Sequence, residues 1–334
     1  LTPRALRDMI TTRLVQQRDG LSVLFESFAF KRGVPTDADF VFDARALPNP
    51  YWRDDLRSQT GLDAEVIQFL ENNPRCLAFF DKLKDFIAKN DILRLPDPDR
   101  CELKEMPEFH RGNSLAYIQP APPLDPENTT IYAISPPPAD WDADRVESFL
   151  QEYNRHMLQI LTIHEAYPGH YVQLAYHNRE SSPVRRLLLS GVFIEGWAVY
   201  TEQMMLDQGY GEGDPALRLT QLKFYLRAVA NAILDHRMHC SRMSDEEALD
   251  FLMNQSFQSE GEAQLKIIRS KQSTVQLSTY FVGRMALYDL RREIQREQGA
   301  EFDLGRYHEA VLAHGSLPVK YLGELVRERL RSPR

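Results

Sequence analysis

Apolar side chains recur every three or four positions along most of this sequence, the period of an amphipathic helix rather than a strand. From Pro3 to about Ile92 the pattern shows in groups such as Leu21, Leu24, Phe25 and Phe28, and again in Val66, Phe69 and Leu70. It returns after Asp140 and runs almost to the end, punctuated at residues 209–214, Gly261 and Gly299. Between the two, the stretch from Pro96 to Pro138 holds 10 of the 20 prolines, whose missing amide hydrogens forbid a continuous helix. Residues 115–118 and 130–134 in that stretch read as short strands, and the turn material over 120–128 predicts a hairpin. The expected architecture is mainly α with a small β element. It divides into an N-terminal helical region over 1–95, a Pro-rich segment with a short hairpin over 96–139, and a helical region over 140–334, folding as one cooperative domain.

The candidate chemistry sits at the start of that last region. A helix over residues 152–163 runs into His164-Glu165-Ala166-Tyr167-Pro168-Gly169-His170. A zinc hydrolase needs imidazole or carboxylate ligands, an open position for water and a carboxylate to take its proton. Helices meet this with two histidines four residues apart on one face. Here the spacing is six residues, which at about 100° per residue turns the second imidazole roughly 240° away. Pro168 and Gly169 relieve the problem, because proline breaks the ladder and glycine tolerates unusual dihedrals. A break there swings His170 back toward His164, and residues 171–174 resume the helix. A helix that simply ends at Pro-Gly, with both histidines as polar caps, is the plain alternative.

A third candidate ligand comes from residues 190–202, an apolar helix start carrying Glu195 and, seven positions on, Glu202. An unpaired buried carboxylate is costly, and a metal would compensate Glu195; pairing with Arg185 or Arg186 is the other possibility. Glu202 falls on nearly the same face, as an outer partner of the site or as a surface residue.

These residues resemble a known pattern. His164-Glu165-x-x-Pro168-Gly169-His170-x-x-Gln173 followed by Glu195-Gly196-Trp197-Ala198-x-Tyr200-x-Glu202 is similar to the bacterial domain-of-unknown-function family 885, over roughly residues 107–325. Its members look like gluzincin-type zinc peptidases. The resemblance implies a helical zinc-metallopeptidase-like catalytic domain, with His164, His170 and Glu195 holding Zn2+ and Glu165 as general base. Asp235-His236-Arg237-Met238-His239 falls where the family has an Asp-Thr-Gly-Ile/Leu-His segment, Arg269 at its Arg-Tyr position, and Tyr280-Phe281-Val282-Gly283 at its Tyr-x-x-Gly. Two places depart from the pattern: His236-Arg237 replaces Thr-Gly, and Thr274-Val275 replaces a Pro-Gly. Family members are usually longer at the N-terminus, so the chain is expected to be partial.

The reaction expected from this set is hydrolysis of a peptide or small amide, by an enzyme of carboxypeptidase, dipeptidase or oligopeptidase type. Tyr280 and His239 are the candidate donors to the developing oxyanion, each with a structural alternative as a packed aromatic or a helix-surface group. Asp235, four residues before His239, is expected to orient that imidazole, or to form an ion pair with Arg237 or Arg242. Arg269, Lys271 and Arg284 are candidates for holding a substrate carboxylate, Arg269 and Arg284 foremost. His177 reads as a solvated helix end. A non-catalytic metal-binding or peptide-binding protein, and a zinc hydrolase of another amide or an ester, are the alternative functions.

Composition narrows the partners. The 334 residues are 43% hydrophobic and 26% charged, with a net charge of -8 and no basic run, so no nucleic-acid partner is expected. Three cysteines, Cys76, Cys101 and Cys240, are too scattered for a disulfide framework. No apolar stretch approaches the roughly 18 residues of a membrane span. The compartment expected is the cytoplasm or, given a targeting segment outside this sequence, an exported one.

Overall fold

The computed structural model describes residues 74–107, 116–125, 127–135, 150 and 153–332, with side chains from Phe80 onward. The helices expected over residues 21–28 and 66–70 lie outside this range. The described residues are mainly helical with one small sheet.

Helix α1 (Pro74–Lys89) leads to strand β1 (Cys101–Glu105), then β2 (Ala116–Gln119) and β3 (Thr130–Ile134). β2 and β3 pair antiparallel, Ile118 opposite Tyr132, which is the expected hairpin. The pattern of hydrophobic positions did not foretell β1, which adds to β3 in parallel with Leu103 opposite Tyr132, so the sheet order is β1-β3-β2. Tyr132, fully buried, carries the sheet onto the helical body beside Thr162, 3.4 Å away.

Helix α2 (Arg155–Glu165) begins where the Asn154 side chain accepts the His156 and Met157 amides. It stops ahead of Pro168, and α3 (His170–His177) starts afresh. Short α4 (Pro183–Leu187) precedes α5 (Gly191–Asp207), which the Ser190 hydroxyl caps by accepting the Phe193 amide. The glycine-rich turn over 209–214 then separates α5 from α6 (Pro215–Cys240), with Asp214 as cap and Pro215 in the first turn. A reciprocal Ser244–Glu247 capping box opens α7 (Asp245–Ser256). Gly261, expected as a break, is instead the second residue of α8 (Glu260–Gln272). After a 3-10 turn at Gln276–Ser278 come α9 (Thr279–Gln298), α10 (Leu304–Leu312) and α11 (Leu322–Arg331).

The main core joins α1, the sheet, α2, α3, α5 and α9–α11, with Trp197, Tyr132, Tyr200, Tyr307 and Phe193 as its largest fully buried members. A second core seals α6, α7 and α8 through Leu234, Leu252 and Ile267. The contact that positions the site is the crossing of α5 and α9. A β-carbon on Gly283 would stand 1.9 Å from the Val192 carbonyl oxygen, and one on Gly196 would stand 2.4 Å from the Gly283 carbonyl carbon. Only glycine at both positions lets the two backbones touch. Among the described residues no helix is long and apolar enough to cross a membrane.

Candidate metal centre

The break at Pro168–Gly169 returns His170 to His164. A β-carbon at Gly169 would lie 1.8 Å from the His164 carbonyl oxygen, so the chain doubles back on its own last turn in a way only glycine permits. Trp197 supports the turn from α5, its indole N–H donating to the Pro168 carbonyl at 2.9 Å. The two imidazoles meet edge to face, ring centres 4.8 Å apart.

Glu195 on α5 completes the set. One donor atom each from His164, His170 and Glu195 lies within 4.8 Å of the others, and His170 Nε2 stands 3.6 Å from a Glu195 carboxylate oxygen. Two ligands of a tetrahedral zinc at about 2.0–2.1 Å are separated by roughly 3.4 Å, so His170 and Glu195 already stand near that spacing and the wider donor pairs must close somewhat to share an ion. Neither Arg185 nor Arg186 pairs with Glu195; Arg185 bonds Glu180 and Arg186 the Pro123 carbonyl.

Glu202, two turns further along the same face of α5, meets His164 Nδ1 at 2.6 Å. With Nδ1–H given to this carboxylate, Nε2 is the nitrogen that His164 leaves for a ligand. Burial, reinforced by the charge of His170, pulls the His164 pKa down to about 3, so the imidazole is neutral and its lone pair available. The second oxygen of Glu202 is buried without a partner, and burial pushes the pKa of this carboxyl well up. A cation held at Nε2 of that imidazole would favour the ionised form of Glu202. This observation fits a metal better than a closed polar cluster.

Burial also raises Glu165, to about 7, with the charge of Glu195 adding to the effect and His170 and the backbone of Ile118 opposing it. Glu165 therefore lies between the ligand cluster and strand β2. Burial would disfavour ionised Glu195 as well, yet the hydrogen bond and charge of His170, with help from His164 and the Tyr280 hydroxyl, hold its pKa below the usual range. For His170 burial works downward, but Glu195 more than offsets it and the pKa is raised.

Tyr280 reaches Glu195 because it lies one turn ahead of Gly283, at the α5–α9 crossing. Its oxygen accepts from Arg269 at 3.0 Å and from the Gln276 amide at 3.2 Å. Arg269, expected to hold substrate, is thus committed to Tyr280 and to Gln276, 2.8 Å away. Arg284 is likewise occupied: its guanidinium is sandwiched between the rings of Tyr225 and Tyr288, 4.2 and 4.4 Å from their centres, and it bonds Gln203. His239 turns Nε2 to the Ser270 carbonyl at 3.0 Å, with Asp235 3.5 Å off. The Asp235 carboxylate mainly gathers the 3-10 turn before Tyr280, accepting from the amides of Val275 and Ser278 and, at 2.6 Å, from the Ser278 hydroxyl.

His177 departs from its expected place at a solvated helix end. It is buried, with Nε2 on the Arg186 carbonyl at 2.8 Å and Nδ1 accepting the Ser316 amide at 3.1 Å. Three further contributors carried no local signal that marked them: Phe224, whose ring packs 5.9 Å from His164, Gln276, and the backbone of Ile118. Gln276, four residues before Tyr280, had only its helical spacing to offer.

Residues 64–326 match the model of a family described as bacterial protein of unknown function, DUF885. Residues 21–93 match a second model, the RapZ C-terminal domain. A nucleotide-binding protein of Xylella fastidiosa is 48% identical over 81 residues, covering 24% of this chain and 28% of that protein. One of Paraburkholderia xenovorans is 55% identical over 78 residues, 23% of this chain and 26% of that protein. The chain therefore spans less than a third of these relatives. Among solved structures, a candidate lipoprotein of unknown function from Shewanella oneidensis superposes with a TM-score of 0.69 at 39% identity, covering 75% of this chain and 44% of its own. One from Colwellia psychrerythraea gives 0.66 at 25% identity, covering 80% and 46%.

Proposed function

The chain belongs to the DUF885 family of bacterial proteins, and from that footing we propose that it is a zinc-dependent hydrolase, a peptidase acting on peptide or small amide substrates. The observation that carries this reading is the convergence of His164, His170 and Glu195 within 4.8 Å, with Glu202 fixing the first imidazole from behind. A zinc ion held by those three side chains would supply the Lewis acidity that makes water a nucleophile near neutral pH.

The rest is done by the protein's own groups. Glu165, buried and readily protonated, accepts the proton of the attacking water on its carboxylate and passes it to the leaving amine. Tyr280 turns its hydroxyl from Glu195 toward the carbonyl oxygen as negative charge develops there, steadied by Arg269 and Gln276. Loss of one such donor costs on the order of 10²–10³ in turnover. An amide substrate is supported by β2, which among the described residues has β3 as its one neighbour and runs its backbone beside Glu165. A free strand edge is a template for an extended peptide.

Glu165→Gln tests the assignment. The variant is expected to bind zinc as the parent does and to lose hydrolysis of a peptide library by about 10² or more. Undiminished turnover would remove Glu165 as the base.

A further inference from the structure

The α8 face that looks toward Tyr280 carries Glu262, Lys266 and Arg269, spaced by four and three residues and so stacked along one side of the helix. Glu262 is taken: both its oxygens accept from Arg227, at 2.9 and 2.8 Å, and Tyr153 donates to it at 3.4 Å. Arg269 is taken too, by Gln276 and Tyr280. Lys266 stands between them with no hydrogen bond or ion pair for its ammonium among the described residues, yet it is half-buried. Burial, with the charges of Arg269 and Arg227 added and only Glu262 opposing, draws its pKa down to about 8. Among the described residues Glu262 is thus the one carboxylate acting on Lys266, and it faces Arg227.

We infer that Lys266 anchors the free C-terminal carboxylate of a peptide bound at the His164–His170–Glu195 centre. An ammonium held among like charges gains most from an anion that arrives with the substrate. The position fits: Lys266 is three residues, about 4.5 Å along the helix, from Arg269, which bonds Tyr280, which in turn bonds Glu195. An extended peptide spans about 3.3–3.6 Å per residue, so a carboxylate fixed here lies one or a few residues from the bond to be cut. That geometry selects a carboxypeptidase or dipeptidase over an endopeptidase. It also moves the anion-holding role from Arg269 and Arg284, whose guanidinium groups are engaged, to a lysine whose ammonium is free among the described residues. The inference rests on the hydrolase reading for what is cut, but the anchor can be measured without turnover.

The test is equilibrium binding, by fluorescence anisotropy, of a labelled tripeptide with a free C-terminus and of the same peptide amidated, to zinc-loaded Glu165→Gln protein. The free acid is expected to bind on the order of tenfold more tightly than the amide. Adding Lys266→Met should abolish that preference by weakening the acid alone, and Lys266→Arg should restore most of it, with circular dichroism confirming that both variants fold. Equal binding of acid and amide, or a preference untouched by Lys266→Met, overturns the anchor. A preference that depends on Lys266 together with no hydrolysis by protein with Glu165 intact would uphold the anchor and sink the hydrolase reading.

Discussion

The crossing of α5 and α9 gives a prediction whose size can be worked from distances. In Gly283→Ala the added methyl would stand 1.9 Å from the Val192 carbonyl oxygen and 2.7 Å from the Gly196 α-carbon. Ordinary contact needs about 3.5 Å, so α9 must withdraw from α5 by roughly 1.5 Å. Both neighbours are backbone, so no side chain can swing aside. Overpacking of this kind costs about 3 kcal/mol, against which alanine returns roughly 1 kcal/mol of helix propensity. The net loss of about 2 kcal/mol should lower Tm by roughly 4–8 °C. Gly261→Ala in α8 is the matched control, since its methyl would meet nothing within 4 Å. It should raise Tm by about 2–4 °C, through propensity alone. Differential scanning calorimetry of the two variants beside the parent decides the matter. Gly283→Ala as stable as the parent, or as well tolerated as Gly261→Ala, would refute the close crossing and the placement of Tyr280 that depends on it.

Glu202→Gln keeps the shape behind His164 but removes the carboxylate, and zinc affinity measured by competition with a chelator should fall about 10–100-fold. An unchanged affinity would mean that Glu202 does not tune the ligand. Acid stability follows from His308, whose Nδ1–H goes to the Ile92 carbonyl at 2.7 Å and whose Nε2 accepts from Tyr200 at 2.7 Å. Burial pulls its folded pKa down to about 3. Between that value and the unfolded pKa of about 6.5 the unfolded chain binds a proton that the native state refuses, so stability is full above the window and falls as pH drops through it. At pH 5 this one residue should cost about 2 kcal/mol relative to pH 7. In urea titrations His308→Gln, which keeps a donor and an acceptor, should lose about 2 kcal/mol less than the parent over that interval; an identical pH dependence would refute it.

What was legible in the sequence was whatever depends on near neighbours. The six-residue histidine spacing demanded a break, and Pro168–Gly169 stated where it falls. The seven-residue spacing of Glu195 and Glu202 put both on one face of α5, and that face meets both imidazoles. Contacts across long stretches of chain were hidden. β1 reads Cys-Glu-Leu-Lys-Glu, too polar and too exposed to announce a strand, and it exists because β3 offers a parallel edge. His177 is buried by Ser316, 139 residues away, and Arg284 is held in part by Tyr225 on α6. The sequence marked Arg269 and Arg284 as free cations and passed over Lys266, because which cation keeps its charge unpaired is settled only by packing.

The central claim, that His164, His170 and Glu195 form one zinc site, is tested most directly by calorimetric titration of zinc into chelator-stripped protein, alongside Glu195→Ala. Zinc is expected to bind at about one per chain, with a large loss of affinity in the variant. A protein that takes up no zinc, or a Glu195→Ala variant that binds it as tightly as the parent, would contradict the site.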